Sequence, residues 1–119
     1  MAVSNRTEDY LKYIYVLSQT QKVHSAKLAE ALGISAPTVC IALQNLQHDG
    51  YLTMNSKREI ILTDCGRQIA QKVYEKHIAM EQMLCHLGVS QEEAHKDACY
   101  LEHSISPKSF SALKKVVLK

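Results

Sequence analysis

The sequence predicts a mainly α protein in two parts, with one β-hairpin set among the helices. Three observations carry that prediction. Capping residues recur just before amphipathic stretches of helical period, at Asn5, Ser25, Ser35, Thr63-Asp64 and Ser90. Two short apolar runs, 51–54 and 60–62, flank the polar, basic tip Asn55-Ser56-Lys57-Arg58-Glu59, the pattern of a hairpin. Between residues 77 and 103, His, Glu and Cys fall at spacings of three and four, so that one helical face carries metal-binding side chains.

Composition bounds the rest. At 119 residues the chain suffices for one compact unit or two small subdomains. Hydrophobic residues make up 46% and charged residues 22%, ordinary for a globular protein. No apolar run approaches the ~18 residues of a membrane span, and the first ten residues lack a basic, apolar, small-residue signal pattern. A cytoplasmic protein with no membrane partner is expected. The four cysteines are widely spaced without a CxxC, which predicts free thiols in a reducing compartment. The net charge of +2 is unevenly placed. Residues 1–74 hold eight Lys/Arg against six Asp/Glu, and residues 75–119 hold six of each. That bias is compatible with DNA without proving it.

In chain order, residues 5–20 read as a first helix, capped by Asn5 with Glu8 and Asp9 near its positive end. Tyr10, Ile14 and Leu17 supply its buried stripe, widened by Leu11, Tyr13 and Tyr15. Ser25 caps a short helix with Leu28, Ala29 and Leu32 inward, which stops at Gly33. Ser35 caps a third, with Pro37 in the tolerant first turn and Val39, Leu43 and Leu46 facing a core. A helix followed by helix, short turn, helix is the helix-turn-helix pattern, and the hairpin after it takes the place of a wing. A long helix from 63–64 to Leu87 follows, with Ile69, Val73, Met80, Leu84 and Leu87 inward. Gly88 ends it. Ser90 caps the next, expected to reach about Ser104, and Ser106-Pro107 opens a last helix with Leu113, Val116 and Val117 apolar.

The ligand stripe consists of His77 and Glu81, four apart, and His95, Cys99, Glu102 and His103 at helical steps. Such residues lie about one turn apart, ~5.4 Å along the axis. The opposite face of the second segment is apolar: Ala94, Ala98, Leu101 and Ile105. Singly, each ligand-type residue is as readily a packed or solvated side chain. Six in register point to a divalent ion, and the mixed N/O/S set suits Fe²⁺, Mn²⁺, Co²⁺, Ni²⁺ or Zn²⁺. Asp9 reads equally as a first-turn acid or as a further ligand; spacing does not choose.

The candidate nucleic-acid face is the outward side of the third helix: Ser35, Pro37, Thr38, Ile41 and Gln44, with Asn45 and His48. It carries no Lys or Arg, so readout in a major groove would rest on thymine-methyl contacts and on Gln44 or Asn45 at base edges. Phosphate contacts would come from Lys22, Lys27, Lys57 and Arg58.

These segments together resemble the diphtheria-toxin-repressor and manganese-transport-regulator family of metal-dependent transcriptional repressors, in its short, two-domain type. The matching stretches are TEDYL (7–11), LAEALGISAPTV (28–39), DGYL (49–52), LTDCGR (62–67), the His77-x3-Glu81 pair, LGV (87–89) and HKDACYLEH (95–103). The last is the most specific, because it reproduces ligand types and spacing together. The resemblance implies a winged helix-turn-helix DNA-binding domain over 1–74 and a helical metal-binding and dimerisation domain over 75–119. It implies an ancillary metal site from His77, Glu81 and His95, and a primary site from Cys99, Glu102 and His103 joined by Asp9. Fe²⁺ or Mn²⁺ would be the corepressor, operator DNA and a second copy of the chain the partners, with no small-molecule substrate and no enzymatic activity.

The departures from that family are specific. Asp9 stands where iron-type members carry Met and matches the manganese type; Cys99 stands where manganese-type members tend to carry Glu; Lys12 replaces a further manganese-type Glu. Hard Asp9 favours Mn²⁺, whereas softer Cys99 favours Fe²⁺, Co²⁺ or Zn²⁺. The larger relatives have a third domain that adds ancillary-site ligands, so with the chain ending at Lys119 that site is expected to be completed by water or weak. Two alternative readings are a metalloenzyme and a metal-independent winged-helix regulator.

Overall fold

The computed structural model describes residues 3–117. Met1, Ala2, Leu118 and Lys119 lie outside the described residues, as does the side chain of Val117, so its expected apolar role lies there too. The chain divides into two compact units between Gln71 and Lys72, within its longest helix.

The first unit begins with α1 (Asn5–Ser18). Its cap is Ser4, not the expected Asn5: the Ser4 hydroxyl accepts from the Thr7 amide at 3.1 Å, and Asn5 is already helical. Both residue types cap equally well, and only the backbone turn decides between neighbours. Helix α2 (Ser25–Leu32) likewise starts one residue earlier than expected. His24 holds the extended capping position without a side-chain bond, and Ser25 is inside the helix. Gly33 terminates α2 in the left-handed region at φ 67°, as a C-terminal glycine should. After a break of three residues α3 (Ala36–His48) leaves at 112° to α2, within the range of a helix-turn-helix. Ser35 caps α3 as expected, accepting from the Thr38 amide at 3.3 Å. Leu11, Ile14, Leu28, Val39, Leu43 and Leu52 fill the core, each burial contributing roughly 2 kcal/mol.

Strands β1 (Leu52–Met54) and β2 (Ile60–Leu62) pair antiparallel, Leu52 opposite Leu62 and Met54 opposite Ile60. Leu52, Ile60 and Leu62 point inward while Thr53 and Ile61 face out. Asn55 organises the tip: its side-chain oxygen accepts from the Lys57 and Glu59 amides at 2.9 and 3.0 Å. Arg58 sits there at φ 62°, the sole non-glycine with positive φ among the described residues.

Helix α4 (Asp64–His86) crosses the division. Thr63 caps it, accepting from the Gly66 amide at 3.2 Å and donating to the Gly50 carbonyl at 2.7 Å. In the second unit, α4 ends before Gly88, which is left-handed at φ 96°. Leu87, expected inward, is 72% exposed, because the helix has already ended at His86 and the chain is turning. Helix α5 (Gln91–Leu101) starts from Ser90, whose hydroxyl accepts from the Glu93 amide at 3.2 Å. It ends three residues short of the expected Ser104, with Glu102 as its C-cap and His103 in the following turn. Helix α6 (Pro107–Val117) is anchored by Phe110, which packs with Met80 and Ala98. The sequence reading passed over Phe110 in favour of Leu113 and Val116; Leu113 is half-buried and Val116 exposed. Among the described residues no single helix is long and apolar enough to cross a membrane.

Candidate metal centre and nucleic-acid face

Six of the seven sequence-predicted ligands lie in the second unit, and their side chains converge. His77 on α4 is the hub. It is 4% exposed, and both ring nitrogens are engaged. Nδ1 lies 2.9 Å from Glu102 Oε2, and Nε2 lies 3.1 Å from Glu81 Oε2 and 3.2 Å from His95 Nδ1. Glu81, one turn after His77, also lies 3.5 Å from His95 Nδ1. From α5, the Cys99 sulfur stands 4.0 Å from His77 Nδ1 and 4.0 Å from His95 Nε2. The two imidazoles meet edge to face, with centroids 4.8 Å apart.

Glu102 is the most buried acid of the group, 1% exposed. Its other oxygen, Oε1, lies 3.4 Å from His103 Nε2, so an imidazole faces each carboxylate oxygen. A buried carboxylate costs several kcal/mol unless it is paired, so this arrangement is a requirement of its burial. Local structure explains the convergence. Ala98, fully buried, packs with Met80 and Phe110, and Ala94 one turn earlier is also fully buried; His95 and Cys99, each one position on, meet His77. The α5 C-cap stays in right-handed helical conformation, so Glu102 keeps its helical register although the helix has ended.

The donor chemistry fits a divalent transition ion: two imidazoles, a thiol and two carboxylates within reach of one another, with a third imidazole beside Glu102. One atom from each of His77, His95 and Cys99 lies within 4.8 Å of the others. The seventh predicted ligand, Asp9, is half-buried on α1 in the first unit. None of the four cysteines is in a disulfide; Cys40, Cys65 and Cys85 are exposed.

The predicted nucleic-acid residues all lie on the first unit and are all exposed: Lys27 on α2, Ser35, Pro37, Thr38, Ile41 and Gln44 at or along α3, Lys57 and Arg58 at the hairpin tip. Ile41 is 62% exposed, outside the core and open to an apolar contact beyond the fold. Lys22 is paired with Glu59 at 3.7 Å, and Lys27 faces Glu30 at 4.0 Å. Cys40 shares the exposed surface of α3 beside Ile41. It was missed because cysteine is ordinarily read as a core residue.

A winged helix-turn-helix with an uncharged recognition surface, in one chain with a buried N/O/S donor cluster, defines the class of metal-responsive DNA-binding regulators. Comparison with known proteins agrees at each half. Residues 2–60 match the iron dependent repressor N-terminal DNA binding domain, and residues 63–119 the iron dependent repressor metal binding and dimerisation domain. The HTH-type transcriptional regulator MntR of Geobacillus kaustophilus (strain HTA426) is 35% identical over 100 residues, 83% of this chain and 71% of that protein. The iron-dependent repressor IdeR of Mycobacterium tuberculosis (strain ATCC 25618 / H37Rv) is 37% identical over 102 residues, 84% of this chain and 44% of that one. Among solved structures, the manganese regulator SloR superposes with a TM-score of 0.82 at 32% identity over 94% of this chain. A manganese-dependent transcriptional repressor in complex with manganese superposes with a TM-score of 0.84 at 30% identity over 93%. The chain spans about half the length of these two structures, 53% and 52%. This chain belongs to the iron- and manganese-dependent repressor family of transcriptional regulators.

Proposed function

We propose that this protein is a cytoplasmic, homodimeric repressor that binds operator DNA when a divalent metal, Fe²⁺ or Mn²⁺, occupies its second unit, and that it controls metal-homeostasis genes rather than catalysing a reaction. The observation that carries the reading is the convergence of His77, Glu81, His95, Cys99, Glu102 and His103 on one cluster. Residues 1–74 serve as the DNA-binding domain and residues 75–119 as the metal-binding and dimerisation domain. Asp9 joins the ligand set by family resemblance alone. A bound divalent cation supplies the positive charge that lets Glu81, Glu102 and the Cys99 thiolate share this small space. The imidazoles of His77 and His103 hold Glu102 in position. On the DNA side, Ile41 contacts thymine methyls, Gln44 reads base edges, and Ser35, Pro37 and Thr38 place the start of α3 at the groove. In a two-fold dimer, two α3 helices meet half-sites ~34 Å apart or a multiple of it.

The direct test is operator affinity, on duplexes selected by the protein in Mn²⁺, measured with metal and again in excess chelator. Coupling between effector and DNA sites is typically about 5–150-fold, so a loss of that order is expected, with Asp9→Ala held at the chelated level. Equal affinity in both conditions would establish a metal-independent regulator instead.

A second expectation concerns the wing. Arg58→Gly relieves a left-handed backbone at φ 62° that costs an L-residue about 1–2 kcal/mol, so the melting temperature should not fall. The slope of log affinity against log salt should drop by about 0.9 with the lost phosphate contact. A lower melting temperature with an unchanged slope would assign Arg58 to the fold and not to DNA.

A further inference from the structure

Helix α5 ends at Leu101 and α6 begins at Pro107, so Glu102 and His103 stand in the connection between two helices. Its first half is tied to α5. The His103 amide donates to the Tyr100 carbonyl at 3.4 Å and the Ser104 amide to the Leu101 carbonyl at 3.1 Å, the tighter bonding of a helix end. Its second half is held from α4, where Lys76 Nζ donates to the Ile105 carbonyl at 3.3 Å in a partly buried contact. We propose that Lys76 is a positioning residue for the metal: by fastening Ile105 to α4 it holds the Glu102–His103 turn in the geometry that presents both side chains to a divalent ion. This rests on the proposed metal-dependent function and adds a residue outside its ligand set.

Two consecutive residues of α4 grip the turn at its two ends. His77 Nδ1 lies 2.9 Å from Glu102 Oε2 at the start, and Lys76 holds the Ile105 carbonyl at the finish. Neighbouring residues of a helix project ~100° apart, so the two grips pull from different directions, and a segment held at two points cannot swing about either. The Ile105 side chain packs against the cluster of Met80, Ala98 and Phe110, which keeps its carbonyl within reach. Groups that orient ligands from behind in this way typically matter about 10–100-fold in metal affinity.

A lysine is an unexpected neighbour for a cation site. Its charge opposes the ion, so charge alone predicts that removing it tightens binding, whereas a brace predicts the reverse. The bonding of Lys76 fits a brace. It is half-buried and donates to a neutral carbonyl, while Glu75, the carboxylate beside it in sequence, is paired with Lys114.

The experiment measures Mn²⁺ affinity of the full chain from the electron paramagnetic resonance signal of the free ion, with the metal-free melting temperature alongside. Lys76→Met is expected to weaken binding about tenfold with parent-like melting. Lys76→Arg keeps the donor and should restore the affinity. Lys72→Met removes the same charge from an exposed position one turn earlier on α4 and should leave affinity unchanged. In a His103→Ala background Lys76→Met should cost little, because the turn no longer carries that donor. Unchanged or tighter binding in Lys76→Met, an equal loss in Lys72→Met, no rescue by arginine, or an undiminished cost in the His103→Ala background would each overturn the proposal. A lower metal-free melting temperature with Mn²⁺ affinity intact would overturn it too, assigning the bond to the fold. All of these leave metal-dependent repression standing. A parent chain that binds no Mn²⁺ would overturn both readings together.

Discussion

Gly66→Ala is expected to lower the melting temperature by roughly 10 °C or more, far beyond what a helix-favouring substitution suggests. Gly66 lies in the first turn of α4, where alanine ought to be neutral or better. A Cβ at this position would stand 2.0 Å from the Tyr51 carbonyl oxygen and 3.0 Å from its carbon. That neighbour is main chain and cannot rotate away. The same carbonyl accepts from the Thr63 amide at 3.0 Å, and the Thr63 hydroxyl bonds to Gly50 and to the Gly66 amide. The start of α4 is thus bolted to the turn between α3 and β1, and one methyl group forces the bolt open. Gly33→Ala is the control. Gly33 has the positive φ usually blamed for glycine dependence, yet nothing lies within 4 Å of its missing Cβ. Its cost should be only about 1–2 kcal/mol. Thermal melts of both variants decide the matter; an equal or larger loss at Gly33 would reject the steric explanation.

Metal is expected to stabilise the metal-stripped protein by several degrees. An ion at 100 times its dissociation constant contributes ~2.7 kcal/mol, and a chain of this size gains a few degrees per kcal/mol. A melt series with Mn²⁺, anaerobic Fe²⁺, Co²⁺ and Zn²⁺ should show the gain, and His103→Ala should diminish it for oxygen-seeking ions. The ranking weighs Asp9 against Cys99, since hard carboxylate and soft thiolate favour opposite ends of the series. No gain with any of the four ions would mean that the histidine–carboxylate contacts serve the fold alone.

Much of this was legible in the residues. The amphipathic periods placed all six helices of the described residues, and the alternation around Asn55-Ser56-Lys57-Arg58-Glu59 placed the hairpin. The misplacements were local or terminal. Asn5 and Ser4 are equivalent cap types, and at α2 the extended backbone at His24 takes the capping position without a side-chain bond; in both cases the path of the preceding chain decides. Leu87 was assigned inward because periodicity cannot see that the helix stops at His86. Phe110 was overlooked because one aromatic among serines and lysines leaves no periodic trace, although its size makes it the anchor of α6.

By itself, the sequence determined which residues can be ligands and which share a helix face, because helical spacing is a local property fixed by 3.6 residues per turn. It likewise determined the order of helix, turn, helix and wing. The tertiary structure decided which ligands meet across helices. Cys99 lies in helical register with both His95 and Glu102, and spacing treats the two associations alike. Burial of Ala94, and of Ala98 against Met80 and Phe110, sets the rotation of α5, and that rotation brings the thiol to His77 and His95. The close approach of Gly66 to Tyr51 is of the same kind: they lie fifteen positions apart in sequence, and only packing brings them together.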